Sequence, residues 1–166
     1  MYAKKGSGKV NLSHEEAVQE ALCFGWIDSK VHPVDADHYR QVFTPRKPGS
    51  IWSKINKRHV EKLLAEGRME AAGLAKVEAA KRDGSWSFLD DIEAGEMPPD
   101  LAQALEANGA ARKRFDAFGS SYRKQVLYWI KSAKRPGTRQ KRIDTIVALA
   151  AEGRKFTDEI AGRARA

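Results

Sequence analysis

Hydrophobic positions recur along this chain at two spacings, and the change between them divides it. Ala17, Ala21, Leu22 and Phe24, with Val18 beside them, fall on one face of a helix. Ser13 caps that helix, Glu15 and Glu16 suit its positive end, and Gly25 closes it. The period then drops to two. Trp26, Asp28, Lys30 and His32 alternate with Ile27 and Val31, which predicts an extended segment over 26–34, with Pro33 at an edge or end. Asp35-Ala36-Asp37 makes a short turn into a second strand that begins near His38 and carries Tyr39, Val42 and Phe43.

The two prolines and the glycine of 44–50 end the extended region. Ser50 is expected to cap a helix running to about Glu66, with Ile51, Ile55, Leu63 and Leu64 on its apolar side and Gly67 as its stop. A second helix is predicted over 71–82, with Leu74 and Val77 facing inward, ended by Gly84. Residues 84–99 lack periodicity; Trp86, Phe88, Leu89 and Ile92 make them an apolar linker lying across the core. From Met97-Pro98-Pro99-Asp100 onward the pattern is helical, in pieces spanning 100–107, 110–118, 121–134 and 138–152. The predicted class is α+β: a small N-terminal α+β part (one helix plus short strands), then a mostly helical C-terminal module. The expected boundaries are 1–96, 97–156 and a frayed tail over 157–166.

Charge changes this picture. The 166 residues hold 30 Lys and Arg against 22 Asp and Glu, a net +8. Residues 1–50 balance at +1, 51–100 at −2 and 101–166 at +9, so the excess is local to the helical module. Arg123, Lys124, Lys131, Lys134, Arg135, Arg139, Lys141 and Arg142 are eight cations within twenty residues of one helix–helix turn. Three of them, Arg139, Lys141 and Arg142, sit near a helix start, against the dipole's preference. Such a patch suits an anionic partner: acidic protein, nucleic acid or a phosphate-bearing ligand. The alternative is a solvated helix face. No zinc-finger, RRM or KH pattern supports sequence-specific reading.

The remaining candidate chemistry is sparse. Arg46 and Lys54 flank a proline-stiffened turn leading to a helix start, an anion-site pattern, with Trp26 and Trp52 as an apolar wall and Asp28 nearby. These five residues form a candidate ligand site, against the plainer reading that both indoles are core. The lone Cys23 lies between Leu22 and Phe24 and reads as a small buried hydrophobe rather than a nucleophile served by His14, His32, His38 or His59. The histidine spacing predicts no metal, and no cofactor or catalytic residue is expected. Asp90, Asp91 and Glu93 read as a solvated carboxylate cluster. Residues 4–9 look superficially like a phosphate loop but lack its first glycine, and Val10 stands where Ser or Thr is needed, so they read as a flexible arm. With a single cysteine, no secretory h-region and no long apolar run, the expected location is the cytoplasm.

Four stretches carry a family resemblance. Ala21-Leu22-Cys23-Phe24-Gly25-Trp26-Ile27-Asp28, Phe43-Thr44-Pro45-Arg46 and Gly49-Ser50-Ile51-Trp52-Ser53-Lys54-Ile55-Asn56 resemble the YdeI/OmpD-associated family of bacterial proteins. So does Tyr128-Trp129-Ile130-Lys131-Ser132-Ala133-Lys134-Arg135-Pro136, followed by Arg139, and the resemblance extends over roughly 4–155. It implies association with bacteriocin protection, meaning tolerance of cationic antimicrobial peptides, with no agreed catalytic residues, and a non-enzymatic stress protein is the expectation. Members usually begin with a further helix and strand, so an N-terminal truncation is expected. The first functional reading is binding of an anionic partner through the 123–142 patch. The alternatives are a non-specific nucleic-acid-binding protein, or a small anionic-ligand-binding protein using Trp26, Arg46 and Trp52.

Overall fold

The computed structural model describes residues 2–3 and 12–158; the arm at 4–9 and residues 159–166 of the expected tail lie outside them. Contacts divide the chain into two units, Met1–Leu89 and Asp90–Ala166.

In the first unit, α1 (His14–Cys23) opens on a capping box. Ser13 Oγ accepts from Glu16 N at 3.1 Å, and Ser13 N donates to Glu16 Oε2 at 2.8 Å. Gly25, at φ 74°, turns the chain into a strand in the left-handed conformation that favours glycine. The sheet has three antiparallel strands in the order β1–β3–β2: β1 (Tyr2–Ala3), β2 (Trp26–Pro33) and β3 (His38–Pro45). Trp26 pairs with Pro45 and Asp28 with Phe43, and a bulge falls between Asp28 and Val31. Tyr2 stacks on its partner Tyr39, ring centroids 5.2 Å apart. Asp35 closes the β2–β3 turn by accepting from the backbone of Asp37 and His38.

Two helices complete this unit, α2 (Lys54–Ala65) and α3 (Ala71–Asp83). The cap of α2 is Ser53, whose Oγ accepts from Asn56 N at 3.2 Å, and not the expected Ser50. The late start also moves the buried face. Val60 and Leu63 are buried, whereas Ile55 is 64% and Leu64 47% exposed. Ile51 precedes the helix, so the stripe predicted through 51 and 55 does not exist. In α3 the inward positions are Gly73, Val77 and Ala80; Leu74 lies half out. The core gathers Val18, Leu22, Cys23, Trp52, Val60, Leu63, Val77 and Ala80, with Phe43 and Trp86 against it.

The second unit is helical: α4 (Asp90–Ala94), α5 (Pro99–Glu106), α6 (Gly109–Ala117), α7 (Ser120–Lys131) and α8 (Pro136–Glu152). The short α4 lies inside the segment expected to be an aperiodic linker, and its Ile92 is buried. Leu101, Leu105, Phe115, Val126, Ile130, Ile143 and Ile146 supply the core. Phe156 adds to it, stacking on Trp129 at 4.7 Å and donating its N–H to Tyr122 Oη at 3.0 Å.

Candidate functional site

In the first unit, the segment between β3 and α2 builds around Arg46. Its backbone N–H donates to Gly25 O at 2.9 Å, which ties the end of the sheet to the end of α1. The side chain is only 3% exposed, and its guanidinium carbon lies 3.6 Å from the centre of the Trp52 ring. Nη1 donates to Ile51 O at 3.3 Å, while Nε and Nη2 are buried without a hydrogen-bond partner. Burial lowers its pKa to about 10, opposed by the nearby Asp28 carboxylate. Trp52 is buried in turn, its backbone N–H donates to Ser85 O at 3.3 Å, and its ring tilts against Trp86 at 5.1 Å. Asp83 secures the loop from below, accepting from Gly49 N at 3.0 Å and from Ser85 N at 2.9 Å. The result is a rigidly seated cation with two donors to spare, a pattern that suits an oxyanion or carboxylate.

The five candidate residues do not assemble into one wall. Arg46 and Trp52 touch. Asp28 lies within electrostatic reach of Arg46 but faces a separate cleft, where His14 Nε2 is 3.4 Å from its Oδ2. Trp26 is 42% exposed and lines an open apolar hollow with Leu12, Phe24 and Phe43, away from Trp52. Lys54 is the exposed first residue of α2. Sequence reasoning missed His14 as a neighbour of Asp28. The available signal was a histidine directly after a capping serine, but nothing local tells that the start of α1 faces β2.

In the second unit, the eight patch residues divide sharply. Lys124 Nζ lies 2.6 Å from Glu93 Oε2, and Lys131 Nζ lies 2.7 and 2.8 Å from the two Asp91 oxygens. Arg139 grips Asp100 in a two-pronged pair at 2.7 and 2.9 Å. That contact holds the Asp100 carboxyl below its ordinary value and raises Arg139. Arg142 reaches back to the end of α7, donating to Trp129 O and, at 2.9 Å, to Ser132 Oγ, with its guanidinium 5.1 Å from the Trp129 ring centre. The carboxylates Asp91 and Glu93, expected to be merely solvated, are therefore structural partners of α7. Arg123 lies partly buried against a cavity of about 270 Å³, its Nε without a partner. Lys134, Arg135 and Lys141 are exposed and have no carboxylate partner among the described residues. They surround the start of α8, whose cap residue is Arg135, whose first turn holds no acid and whose cap makes no side-chain bond.

Cys23 is buried and donates to Gln19 O at 3.4 Å, and burial pushes its thiol pKa up, so the thiolate a nucleophile needs is disfavoured. Among the described residues, no group of His, Cys, Asp or Glu is arranged to hold a metal, and no helix is long and apolar enough to cross a membrane.

Two family models match the chain. Residues 1–76 match one described as a domain of unknown function (DUF8412), and residues 94–153 match one described as Bacteriocin-protection, YdeI or OmpD-Associated. The resemblance read from the N-terminal motifs thus falls on a different model from the C-terminal one. No curated protein and no solved structure matches. The helical module, with its ion-paired α7–α8 ridge, is thus similar to the bacteriocin-protection, YdeI or OmpD-associated family.

Proposed function

We propose that this protein acts in bacteriocin protection as a non-enzymatic stress protein of the cytoplasm, and that its family module binds a phosphate-bearing polyanion at the α7–α8 turn. One observation carries the reading. Lys134, Arg135 and Lys141 remain exposed around a helix start that has neither an acidic first turn nor a side-chain cap. A cation at the very start of a helix, as Arg135 is here, costs roughly 0.3–1 kcal/mol against the dipole, and a bound anion reverses that sign. Like charges repel, so this ridge does not capture cationic peptides, and its contribution to protection is indirect. The test is binding of a random-sequence DNA oligonucleotide by fluorescence anisotropy. Affinity is expected to fall steeply with added salt and to collapse in the K134A/R135A/K141A variant, while K124A/K131A binds nearly as wild type. Absence of salt-sensitive binding to any polyanion at low ionic strength rejects the proposal.

A second reading rests on Arg46: a nearly fully buried guanidinium with two unpartnered donors supports a small anionic ligand in the first unit. A thermal-shift panel of anionic metabolites tests it, with silence across the panel counting against it.

A further inference from the structure

The cleft that Asp28 faces carries the opposite electrostatic character from the rest of this +8 chain. It lies between the first turns of α1 and α2 and the start of β2, with a volume of about 430 Å³. Two carboxylates, Glu15 and Asp28, line it, and among the described residues no Lys or Arg does. Its other polar walls are two imidazoles, His14 and His59, and the side chains of Ser53 and Asn56.

One imidazole is held by a neighbouring amide. The buried amide of Gln19 has its Nε2 3.3 Å from Glu15 Oε1 and 3.3 Å from His59 Nδ1. A carboxylate only accepts, so one amide proton goes to Glu15 and the second is left for His59. His14 is steered by Asp28 at 3.4 Å. The walls therefore offer two carboxylates, an amide oxygen and a hydroxyl oxygen, while Arg46, the guanidinium that acts on Asp28, is buried and does not line the cavity. Val18 and the exposed Ile55 add a strip of aliphatic surface at the same site.

We propose that this cleft is a binding site for an organic cation: a primary ammonium or guanidinium group on a short aliphatic stem, the head on Glu15 and Asp28 and the stem along Val18 and Ile55. A free amine and a Lys or Arg side chain of a peptide share this chemistry. The site is separate from the α7–α8 ridge and stands or falls independently of it.

The experiment is an NMR titration of the full chain with n-butylammonium, n-butylguanidinium and, as the matched anion, butyrate. The two cations are expected to give saturable shifts at residues 14–18, 28 and 53–59, and butyrate none there. Glu15→Gln keeps the acceptor for Gln19 but removes the charge, and should weaken binding about tenfold or more. Asp28→Asn leaves Arg46 without its nearby carboxylate and so risks the fold. Ile55→Lys supplies an independent variant: it places a cation on the lining at an exposed position and should abolish binding without loss of thermal stability. Titration with N-acetyl-lysine amide separates the sources, since tighter binding than butylammonium assigns the site to a peptide side chain and weaker binding to a free amine. Equal shifts with butyrate, or unchanged affinity in both E15Q and I55K, overturns the proposal. The K134A/R135A/K141A variant should bind the cations as wild type does.

Discussion

Gly73→Ala is expected to destabilise the first unit, although alanine is the better helix former by about 1 kcal/mol. Gly73 lies in the first turn of α3, where that helix crosses the end of α1. A Cβ built there would lie 2.2 Å from Cys23 O, 2.8 Å from Cys23 C and 2.9 Å from Leu22 O. All three are backbone atoms, so no side chain can swing away, and the two helices must part by about 1 Å to restore contact distance. The Cys23 carbonyl also accepts from Glu70 N at 3.1 Å, the bond that seats the cap of α3, and parting strains it. Overpacking of this kind costs about 1–3 kcal/mol and the hydrogen bond about 1 kcal/mol more. After the propensity gain the net loss is about 1–3 kcal/mol, a fall in Tm of roughly 5–20 °C for a unit of this size. Urea unfolding followed by tryptophan fluorescence measures it, since Trp26, Trp52 and Trp86 all lie in this unit. Gly109→Ala is the control, because nothing lies within 4 Å of a Cβ there, and it should be neutral or stabilising. If Gly73→Ala matches or exceeds wild type in stability, the close crossing of α1 and α3 is wrong.

Three further outcomes can be measured in the same way. Ser13→Ala removes the Oγ that accepts from Glu16 N in the α1 capping box, leaving only the backbone bond to Glu16 Oε2, and should cost about 1 kcal/mol, read as a lower urea midpoint at unchanged slope. Arg46→Met keeps an apolar stem on Trp52 while removing a buried cation with two unpartnered donors. Its stability should stay within about 1 kcal/mol of wild type, while any anion-induced thermal shift disappears; a loss above about 3 kcal/mol would mark Arg46 as purely structural. The hydrogen bonds from Arg139 hold the Asp100 carboxyl below its ordinary value of 3.8. A lowered carboxyl contributes stability above its unfolded value and loses it as pH falls through the folded one. Asp100→Asn should therefore cost about 1 kcal/mol at neutral pH and flatten the acid limb of the stability profile below pH 4, followed by circular dichroism.

Elements whose signals are local were legible. Ser13 with Glu16, and Gly25, Gly84 and Gly153 in the left-handed conformation, mark helix ends that any reading of the chain finds. The start of α2 was not legible, because Ser50 and Ser53 are equally good caps. The choice is made by tertiary contacts: Trp52 N–H binds Ser85 O and Ile51 O receives Arg46, so 51–52 stay extended. The same displacement put Ile55 outside the core and onto a cleft. Arg46 and Trp52 were found because the turn that joins them is short. The ion pairs of the helical module span 31 to 40 residues of sequence, and no periodicity announces such partners.

Those ion pairs bear on how salt acts on the protein. Glu93, Asp91 and Asp100 serve Lys124, Lys131 and Arg139 as tethered counterions. A polyanion arriving at such a cation displaces a carboxylate that stays attached to the chain, so no mobile ion is set free and dilution yields no entropy. Arg123 and Arg142 have no carboxylate partner among the described residues either but are half-buried, so the exposed Lys134, Arg135 and Lys141 are the cations that release solution ions. For duplex DNA, the slope of log affinity against log salt should therefore be near −3, where eight free cations would give roughly −7.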